Sequence, residues 1–326
     1  MVITTFSEKI EFIERAFGRI GEKDSKGNIQ VKCPKCVEEN FKIGITLSKY
    51  KFCIALHKNM IFHCWNCGYN GRLSKALKDY CSYNLLVEYL KRFADDQALS
   101  MDIGDQTRLN NFRVPPDFRL LATHKLSTDL GIKKALAYAK SRGITNDDLW
   151  YFKIGISDEF PWKNRILFPS FDTQGNINCI VGRSWESGMK YHYTDRTKIP
   201  KKQFAFNEIN LNWSKPLSIT EGPIDLVKCD ENATILMGSD LSEDSYLFGK
   251  IIRHETPIIW SLDPDMIHKK TPKIIKKLLS AGIDVKVPEL QDDVGSLTRE
   301  EYVEIKNKAE KWDHMSLLRN KISSIR

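Results

Sequence analysis

The spacing of apolar residues changes along the chain and predicts two kinds of architecture. Over residues 7–20, apolar side chains recur at helical spacing, and Ser7 is the expected N-cap of this helix. Over residues 37–63, short segments alternate apolar and polar residues, as antiparallel strands do. From Leu217 onward, apolar runs of strand length alternate with helical segments. The pattern therefore predicts a small antiparallel region followed by a larger α/β region.

The α/β region contains four predicted strands with helices between them. The strands are LSIT, ATILM, PIIWSL and IDVKVPEL, and Gly282 is the expected end of the last intervening helix. Alternation of strands and helices produces a parallel sheet with helices on both faces. Ligands of such sheets bind at the carboxyl ends of the strands, so residues that directly follow the strands are candidates for a site.

A predicted linker and a second strand-rich segment lie between these two regions. Residues 93–113 lose periodicity and become polar, which indicates a linker. A helix around Ala135 follows, and then the strand-rich segment NRILFPSFDTQGNINCIVGRSW. Residues 174–176, Gln-Gly-Asn, predict a hairpin turn within that segment.

Composition and charge restrict the class of protein. Of the 326 residues, 41% are hydrophobic and 28% are charged, which is typical of a folded, soluble protein. Residues 25–78 contain ten Lys and Arg against two acids, and residues 163–202 contain eight against three. Two separate basic regions indicate a polyanion held at two places. Each region taken alone is also compatible with a solvated surface.

The sequence carries no targeting signal. It has no apolar run of about 18 residues that would span a membrane. The N-terminal segment contains acidic residues and no small-residue cleavage site, unlike a signal peptide. We therefore expect an intracellular protein with no membrane partner.

Four of the eight cysteines form two C-x-x-C pairs, Cys33 with Cys36 and Cys64 with Cys67. In a chain without a secretory signal, this spacing favours a bound metal over disulfides. Four thiolates complete a tetrahedral zinc site and leave no open position for catalysis. The sequence therefore predicts a zinc ribbon with one structural Zn²⁺.

Residues near the two pairs refine this prediction. Pro34 is expected to stiffen the first knuckle, and Gly68 to adopt a positive φ that turns N–H groups toward sulfur. Cys53 is expected to be a core thiol. His63 remains an alternative ligand in place of one cysteine.

Basic and aromatic residues are interleaved in the same region. They are Lys42, Lys49, Tyr50, Lys51, Phe52, Lys58 and Trp65. Cations follow phosphates while aromatic rings stack on unpaired bases, as in proteins that hold single strands. The alternative is that the rings form the core of a small domain and the lysines are merely solvated.

Acidic residues follow two predicted strands of the α/β region. LSIT is followed by Glu221 and then Asp225, and PIIWSL is followed by Asp263 and Asp265. Carboxylates at one sheet edge repel one another unless a cation lies between them. Mg²⁺ and Mn²⁺ prefer such oxygen ligands, and a pair of these ions stabilises both oxygens of phosphoryl transfer. Pro264 is expected to hold its two neighbours in an extended relation.

These segments resemble one enzyme family. ITEGPIDLVK and WSLDPDM resemble the TOPRIM domain of DnaG-type primases, topoisomerases and some nucleases. The upstream segment NRILFPSFDTQGNINCIVGRSW is similar to the basic subdomain of DnaG-type primases. With the zinc ribbon in front, the order from about Ile29 to Leu297 resembles that family. The small size and the four-cysteine set look most like the stand-alone primases of large tailed phages.

The resemblance implies a multidomain α/β fold with five segments. They are an N-terminal zinc-binding domain with flanking helices (1–92), a linker (93–113), a basic α+β subdomain of the RNA polymerase core (114–215), a TOPRIM doubly wound parallel sheet (216–297) and a C-terminal helical tail (298–326).

The resemblance also implies a DNA-directed RNA polymerase, a nucleotidyltransferase that makes short RNA primers on single-stranded DNA for lagging-strand replication. The implied catalytic residues are Glu221, Asp263 and Asp265, with Glu221 as the general base for the primer 3′-hydroxyl. The implied ligands of two or more Mg²⁺ or Mn²⁺ ions are Glu221, Asp225, Asp263, Asp265, Asp292 and Asp293. The residues expected to contact template or ribonucleoside triphosphates are Arg165, Arg183, Lys190, Lys201 and Lys202.

Partners and rival functions follow from the same comparison. The chain contains no G-x4-G-K-[ST] phosphate loop, so a separate hexameric replicative helicase is the expected primosome partner, with residues 299–326 as a candidate contact. A phage-encoded protein of this kind would act in the host cytoplasm. The alternatives are a TOPRIM-type metal-dependent nuclease and a single-strand binder without activity.

Overall fold

The computed structural model describes residues 4–23, 27–42, 49–56, 60–94, 113–186, 188–194, 200–229, 232–238, 240–266 and 269–323. The chain divides into two compact units. Unit 1 comprises Met1–Ile103 with Ser242–His254, and unit 2 comprises Gly104–Leu241 with Glu255–Arg326. The predicted linker falls largely on residues 95–112, which lie outside the described residues. Among the described helices, none combines the length and apolarity of a membrane span.

Unit 1 is built on a four-stranded antiparallel sheet of order β1-β2-β3-β4. Its strands are β1 (Asn28–Val31), β2 (Phe52–Ala55), β3 (Ile61–Cys64) and β4 (Asn70–Arg72). Its helices are α1 (Phe6–Phe17), α2 (Pro34–Lys42), α3 (Leu73–Tyr80), α4 (Tyr83–Arg92) and, in chain order, α8 (Tyr246–His254).

The core of unit 1 is aromatic. The rings of Phe52 and Phe62, on neighbouring strands, have centroids 4.6 Å apart, and those of Phe12 and Phe93 are 4.8 Å apart. Rings of this size bury enough apolar area to dominate the stability of a small domain.

Two local predictions for unit 1 are wrong. Helix α1 is capped by Thr5 rather than Ser7, because the Thr5 hydroxyl and the Glu8 carboxylate form a reciprocal capping box. Part of the region between the cysteine pairs is helical, not extended, since α2 begins at Pro34. Proline is favoured at the first helical position because its missing N–H would be unpaired there in any case. Pro34 therefore starts a helix instead of stiffening a turn.

The first sheet of unit 2 is antiparallel, with order β5-β6-β7-β8-β9. Its strands are β5 (Arg119–Leu120), β6 (Gly155–Ile156), β7 (Arg165–Phe171), β8 (Ile177–Ser184) and β9 (Tyr191–Tyr193), and its helices are α5 (Leu130–Ser141) and α6 (Asn146–Tyr151). We call it the basic sheet.

The predicted hairpin turn of the basic sheet is confirmed. The side chain of Asp172 accepts hydrogen bonds from the N–H groups of Gln174 (2.9 Å) and Asn176 (2.8 Å). Gly175 has φ +82°, a left-handed conformation that favours glycine. The turn aligns β7 and β8 from Arg165 opposite Ser184 to Phe171 opposite Ile177, with one register shift between Ser170 and Phe171.

The second sheet of unit 2 has the order β11-β10-β12-β13-β14. Its strands are β10 (Leu217–Thr220), β11 (Ala233–Ile235), β12 (Ile258–Trp260), β13 (Val285–Val287) and β14 (Glu310–Trp312). Its helices are α7 (Pro223–Lys228), α9 (Thr271–Ser280), α10 (Arg299–Lys308) and α11 (His314–Ser323). The first four strands pair in parallel, which confirms the predicted parallel sheet.

Every residue of β10, β11 and β12 is buried. Strands covered on both faces have no polar side and therefore show no alternation. Helix α9 ends as predicted, with Gly282 at φ +79°.

Residues 298–326 are not helical throughout. Strand β14 pairs antiparallel with β13, with Trp312 opposite Val285, and so extends the sheet. Tyr302 of α10 is fully buried, and its hydroxyl lies 2.9 Å from the Ser261 hydroxyl, which follows β12. The predicted tail is therefore largely part of the fold of unit 2.

Candidate functional site

The four predicted zinc ligands of unit 1 come together in one cluster. The sulfur atoms of Cys33, Cys36, Cys64 and Cys67 all lie within 4.8 Å of one another. The Cys33–Cys67 and Cys36–Cys64 pairs are both separated by 3.8 Å. Zn–S bonds of about 2.3 Å in a tetrahedron place neighbouring sulfurs about 3.8 Å apart. The donor set and its spacing therefore fit a structural zinc ion.

Residues around the cluster hold its two knuckles in place. The Asn66 amide donates to the Cys36 sulfur at 3.4 Å. Gly68 has φ +69°, as predicted, but its N–H donates to the Cys64 carbonyl at 3.0 Å rather than to sulfur. His63 lies outside the cluster, and its ring packs against that of Trp65, with centroids 4.5 Å apart. The predicted alternative ligand is therefore not one of the four.

The aromatic residues predicted to contact a single strand differ in exposure. Trp65 is 72% exposed beside the second cysteine pair, whereas Phe52 is fully buried and belongs to the core. Tyr50 is partly exposed, with the Lys32 ammonium 5.8 Å from its ring centroid. Stacking on bases is thus open to Trp65 and Tyr50 but not to Phe52. The side chains of Lys42 and Lys58 lie outside the described residues.

In unit 2, the acidic residues follow neighbouring strands of the parallel sheet. Strands β10 and β12 pair with Ile219 opposite Trp260, so Glu221 and Asp263 leave the sheet at the same edge. Asp225 lies in the first turn of α7, where its carboxylate accepts a 2.8 Å hydrogen bond from the N–H of Gly222. The strand order therefore brings the two predicted motifs to one place.

Burial and mutual repulsion both raise the pKa of Asp263 in this acidic cluster. Burial raises the pKa of Asp263 to about 6, and the negative charges of Glu221, Asp293, Asp265 and Asp292 add to the effect. Each of these charges makes ionisation of Asp263 less favourable. Four of the five predicted partners of Asp263 thus lie close enough to act on its pKa, and Asp263 in turn acts on the fifth, Asp225.

Asp225 is the most deeply buried member of the cluster. It is 8% exposed, and burial raises its pKa to about 7. Hydrogen bonds from Gly222 and Gly295 lower the pKa, while the charges of Asp263 and Asp293 raise it. A carboxyl group that titrates near neutral pH is the expected result of burial among like charges.

Asp293 joins the cluster through tertiary structure. Its Oδ1 atom is buried and has no hydrogen-bond partner among the described residues. The same atom lies 3.3 Å from the position that a Cβ would take on Gly295, whose N–H donates to Asp225. A buried carboxylate oxygen without a donor is costly, and a cation removes that cost. Asp292 is exposed, and its carboxylate accepts from the N–H of Asp293 at 2.8 Å.

The oxygen-only donor set fits a hard divalent cation. Within the described part of the chain, the cysteine cluster is the only set of three or more ligand atoms within 4.8 Å of one another. The carboxylates do not form such a set, so a Mg²⁺ ion bound there would keep several waters among its ligands, as it commonly does.

The segment between Asp263 and Asp265 is folded, not extended. Pro264–Met266 form a turn of 3₁₀ helix, and the N–H of Met266 donates to the Asp263 carbonyl at 2.9 Å. Asp265 is consequently exposed, with the Lys269 ammonium 3.4 Å from its carboxylate. The predicted extended relation is therefore wrong, and the two aspartates have different surroundings.

The predicted basic residues also differ in their surroundings. The Arg165 guanidinium donates to the carbonyls of Met189 (3.0 Å) and Lys190 (3.3 Å), so it supports the β8–β9 hairpin. Lys190 is exposed, and Lys202 is partly exposed. The Lys201 ammonium lies 3.3 Å from the position of a Cβ on Gly238, beyond the end of β11. Of this set, Lys201 thus reaches the ligand edge of the parallel sheet.

Sequence reasoning missed Tyr191. This residue lies on β9 of the basic sheet, and its hydroxyl is 3.0 Å from the position of a Cβ on Gly222. The only sequence signal is an aromatic residue within the basic region 163–202, next to Lys190. Nothing local indicates that β9 approaches the turn after β10, because that contact depends on how the two sheets pack.

The relatives found by sequence comparison share the name DNA primase. A DNA primase of Lactococcus lactis is 27% identical over 236 residues, which cover 56% of this chain and 36% of that protein. A DNA primase of Listeria innocua is 25% identical over 248 residues, which cover 57% of this chain and 39% of that protein. The matched region thus covers less than two fifths of the full length of each of these curated relatives. No protein-family model matches the sequence.

Solved structures with the same fold are catalytic cores of DnaG primases. The DnaG catalytic core matches with a TM-score of 0.51 at 14% identity, covering 68% of this chain and 84% of that one. The DnaG primase catalytic domain bound to single-stranded DNA matches with a TM-score of 0.50 at 15% identity, covering 69% and 84%. The fold is therefore that of the DnaG catalytic core, and the resemblance to DnaG-type primases is confirmed. The relation to stand-alone phage primases stays a prediction.

Proposed function

We propose that this chain is a DNA primase, a nucleotidyltransferase that joins ribonucleotides into short RNA primers on single-stranded DNA. The observation that carries the proposal is the meeting of the motifs at one edge of the parallel sheet. The charges of Glu221, Asp265, Asp292 and Asp293 all act on Asp263. Relatives named DNA primase and the fold of the DnaG catalytic core support the same conclusion.

In this proposal the acidic cluster holds two or more Mg²⁺ or Mn²⁺ ions through Glu221, Asp225, Asp263, Asp265, Asp292 and Asp293. When bound, such ions stabilise negative charge on the attacking and leaving oxygens of phosphoryl transfer. Glu221 directly follows β10 and serves as the general base that accepts the proton of the primer 3′-hydroxyl. Its carboxylate is partly exposed, so it remains accessible to that hydroxyl.

Basic residues near this edge hold the polyanionic substrates. Lys201 beside Gly238 and the half-buried Arg183 are placed to lower the repulsion between a triphosphate and the template. Lys190 and Lys202 contribute exposed positive charge along the same segment. Arg165 is proposed to contribute in the same way, and its contacts to two carbonyls also hold the β8–β9 hairpin that carries Arg183 and Lys190.

The zinc-bearing unit is proposed to contact the template strand. Its exposed Trp65 supplies a stacking surface next to one cysteine pair, and the nearby lysines attract phosphates. One structural Zn²⁺ fixes that surface without taking part in the chemistry, because four thiolates leave no open coordination position.

A priming assay tests the proposal. The protein is incubated with single-stranded DNA of mixed sequence, labelled ribonucleoside triphosphates and Mg²⁺. We expect short, alkali-labile RNA products, and we expect Asp263→Asn to reduce their yield by about 10²-fold or more. Asp284→Asn is the matched control, since Asp284 is exposed, pairs with Lys311 and precedes β13 at the opposite end of the sheet.

The same assay separates the rival functions. Shortened DNA in place of RNA products indicates a nuclease that uses the same carboxylates. A shifted but intact DNA strand with no product indicates a binding protein. Either result, with fully zinc-loaded protein, contradicts the proposed function.

We further propose a separate hexameric replicative helicase as partner. The fold changes how this must be tested, because removing residues from Arg299 onward would also remove β14 and the buried Tyr302. A truncation before His314 removes only α11, whose Met315, Leu318 and Ile322 are each about half exposed. Unchanged helicase-stimulated priming after that truncation excludes α11 from the contact.

A further inference from the structure

The strongest unassigned feature is the approach of Tyr191 to Gly222. A methyl group on Gly222 would lie 3.0 Å from the Tyr191 hydroxyl, 3.3 Å from Asp225 Oδ2 and 3.5 Å from the Tyr191 ring carbon that bears the hydroxyl. Gly222 has φ −133° and ψ 169°, an extended conformation that any residue adopts. Glycine at position 222 is therefore explained by the lack of room for a side chain. The Tyr191 hydroxyl is the nearest atom to the place that a Cβ would take.

The other face of Tyr191 contacts a cation. The Arg183 guanidinium lies over the Tyr191 ring at 4.6 Å from its centroid, and its Nε donates to the Tyr138 hydroxyl at 3.0 Å. Two tyrosines thus fix Arg183, and none of the ion pairs described for the chain joins it to a carboxylate. A half-buried arginine held by neutral groups remains available to an anion.

Tyr191 therefore connects two groups of opposite charge. Its ring supports the arginine of the basic sheet, and its hydroxyl occupies the space beside Gly222, in the turn between Glu221 and Asp225. Burial raises the pKa of Tyr191. Its hydroxyl therefore keeps its proton at neutral pH and adds no negative charge next to the carboxylates.

We propose that Tyr191 is a positioning residue for the proposed priming reaction. Its hydroxyl holds the Glu221–Gly222 turn in the place where the flanking carboxylates take a divalent cation. Its ring presents Arg183 to the triphosphate that accompanies that cation. Tyr191 touches neither reacting atom and acts through its neighbours. This inference rests on the proposed function only for the identity of the substrate.

A double-mutant cycle tests the contact. Gly222→Ala places a methyl group against the Tyr191 hydroxyl and is expected to weaken Mn²⁺ binding by about tenfold. Adding Tyr191→Phe leaves only the ring carbon, at an ordinary contact distance, and should recover much of that loss. Recovery is expected to be incomplete because Asp225 Oδ2 also lies near the methyl group.

The matched control is Tyr193→Phe. Tyr193 is two residues further along β9, its ring centroid lies 6.2 Å from that of Tyr191, and the three atoms nearest to a Cβ on Gly222 belong to Tyr191 and Asp225. The Tyr193→Phe substitution also removes one hydroxyl from β9, but it should not restore the Mn²⁺ affinity that Gly222→Ala loses. Mn²⁺ affinity is measured by titration with electron paramagnetic resonance, without DNA or nucleotides.

If Gly222→Ala does not fold, Tyr191→Ala in the chain with native Gly222 tests the role of Tyr191 instead. It is expected to weaken Mn²⁺ binding and to raise the KM for ribonucleoside triphosphates more than it lowers kcat, because Arg183 loses its support. Native Mn²⁺ affinity in Tyr191→Ala, or a double variant no better than Gly222→Ala, overturns the inference. If the native chain binds Mn²⁺ and shows this coupling but makes no RNA, the proposed function fails and the positioning contact stands.

Discussion

The carboxylate of Asp225 accepts a 3.0 Å hydrogen bond from the backbone N–H of Gly295, 70 residues later in the chain. Its other oxygen accepts from Gly222. A Cβ on Gly295 would lie only 2.7 Å from the Asp225 carboxylate, so the approach requires glycine. This contact fixes the loop that carries Asp293 against the turn that follows Glu221, and it explains how two distant acidic segments share one site.

Asp263→Asn is expected to raise the free energy of unfolding without Mg²⁺ and to remove the stabilisation by Mg²⁺. In Mg²⁺-free buffer, with zinc kept in place, the variant should be more stable than the native chain by about 0.5–1 kcal/mol, because one of several repelling charges is gone. Added Mg²⁺ should stabilise the native chain and have little effect on the variant. Urea unfolding with and without Mg²⁺ measures both effects, and equal stabilisation by Mg²⁺ would remove Asp263 from the metal site.

The pH dependence of stability follows from Asp225. Its pKa is about 7 in the folded chain, against about 3.9 for an unfolded aspartate. Between these values the folded state binds the proton more tightly than the unfolded state does. Without Mg²⁺ the contribution of Asp225 is therefore fully present below about pH 4 and is lost as the pH rises through 7.

The measurement is the free energy of unfolding of the zinc-loaded chain from pH 5 to pH 8 in Mg²⁺-free buffer, compared with Asp225→Asn. The variant loses one acceptor for the two backbone donors, which lowers its stability by a roughly constant amount. We expect the native curve to fall more steeply than the variant curve. Parallel curves would mean that Asp225 titrates normally.

Removing zinc should unfold the region around the cysteine cluster. Without the ion, four clustered thiols have no common ligand, and small zinc domains generally lose their fold. Hydrogen exchange after chelation should show loss of protection in β1 to β4, while the strands of unit 2 keep theirs. Cys64→Ser should reproduce this pattern and reduce the zinc content from one ion per chain, and a protected β3 in the chelated protein would contradict it.

Arg299 is expected to contribute more to stability than a cation whose partner is exposed. Its guanidinium lies 2.6 Å from Asp148, whose side chain is 6% exposed, and it also donates to the Val227 carbonyl at 2.8 Å. Arg299→Met leaves a buried carboxylate without its charged partner and should cost about 2 kcal/mol.

The control for this prediction is Lys308→Met. Lys308 pairs with Glu304 on the same helix, but both side chains are at least 74% exposed. Such a pair contributes less than about 0.5 kcal/mol. Urea unfolding of the two variants should therefore differ clearly, and equal losses would show that the Arg299 contact adds nothing beyond surface charge.

Trp65→Ala is expected to weaken binding of single-stranded DNA without changing the zinc content. Loss of one stacked base costs about 1–3 kcal/mol. Trp150→Ala removes a tryptophan that is 45% exposed on α6 and is the matched control. Fluorescence anisotropy with labelled oligonucleotides measures both, and equal affinity of Trp65→Ala and the native chain would exclude stacking by Trp65.

Sequence reasoning succeeded where the structural cause is local. Two C-x-x-C pairs bring two thiolates each to one ion whatever the rest of the fold does, and all four cysteines meet. The alternation of strands and helices fixed the parallel sheet, and the strand ends then placed Glu221 and Asp263 side by side. Periodicity, turn residues and metal-ligand spacing all act within a few residues, so they can be read along the chain.

Tertiary packing decided the rest. It buried Phe52, which the sequence presents as an equal of Trp65, and it added β14 to the edge of the sheet. It also brought Asp293 and Tyr191 to the turn after β10, from segments far away along the chain. Such contacts depend on which faces of distant elements meet, and side-chain burial and close approach arise only when those faces are in place.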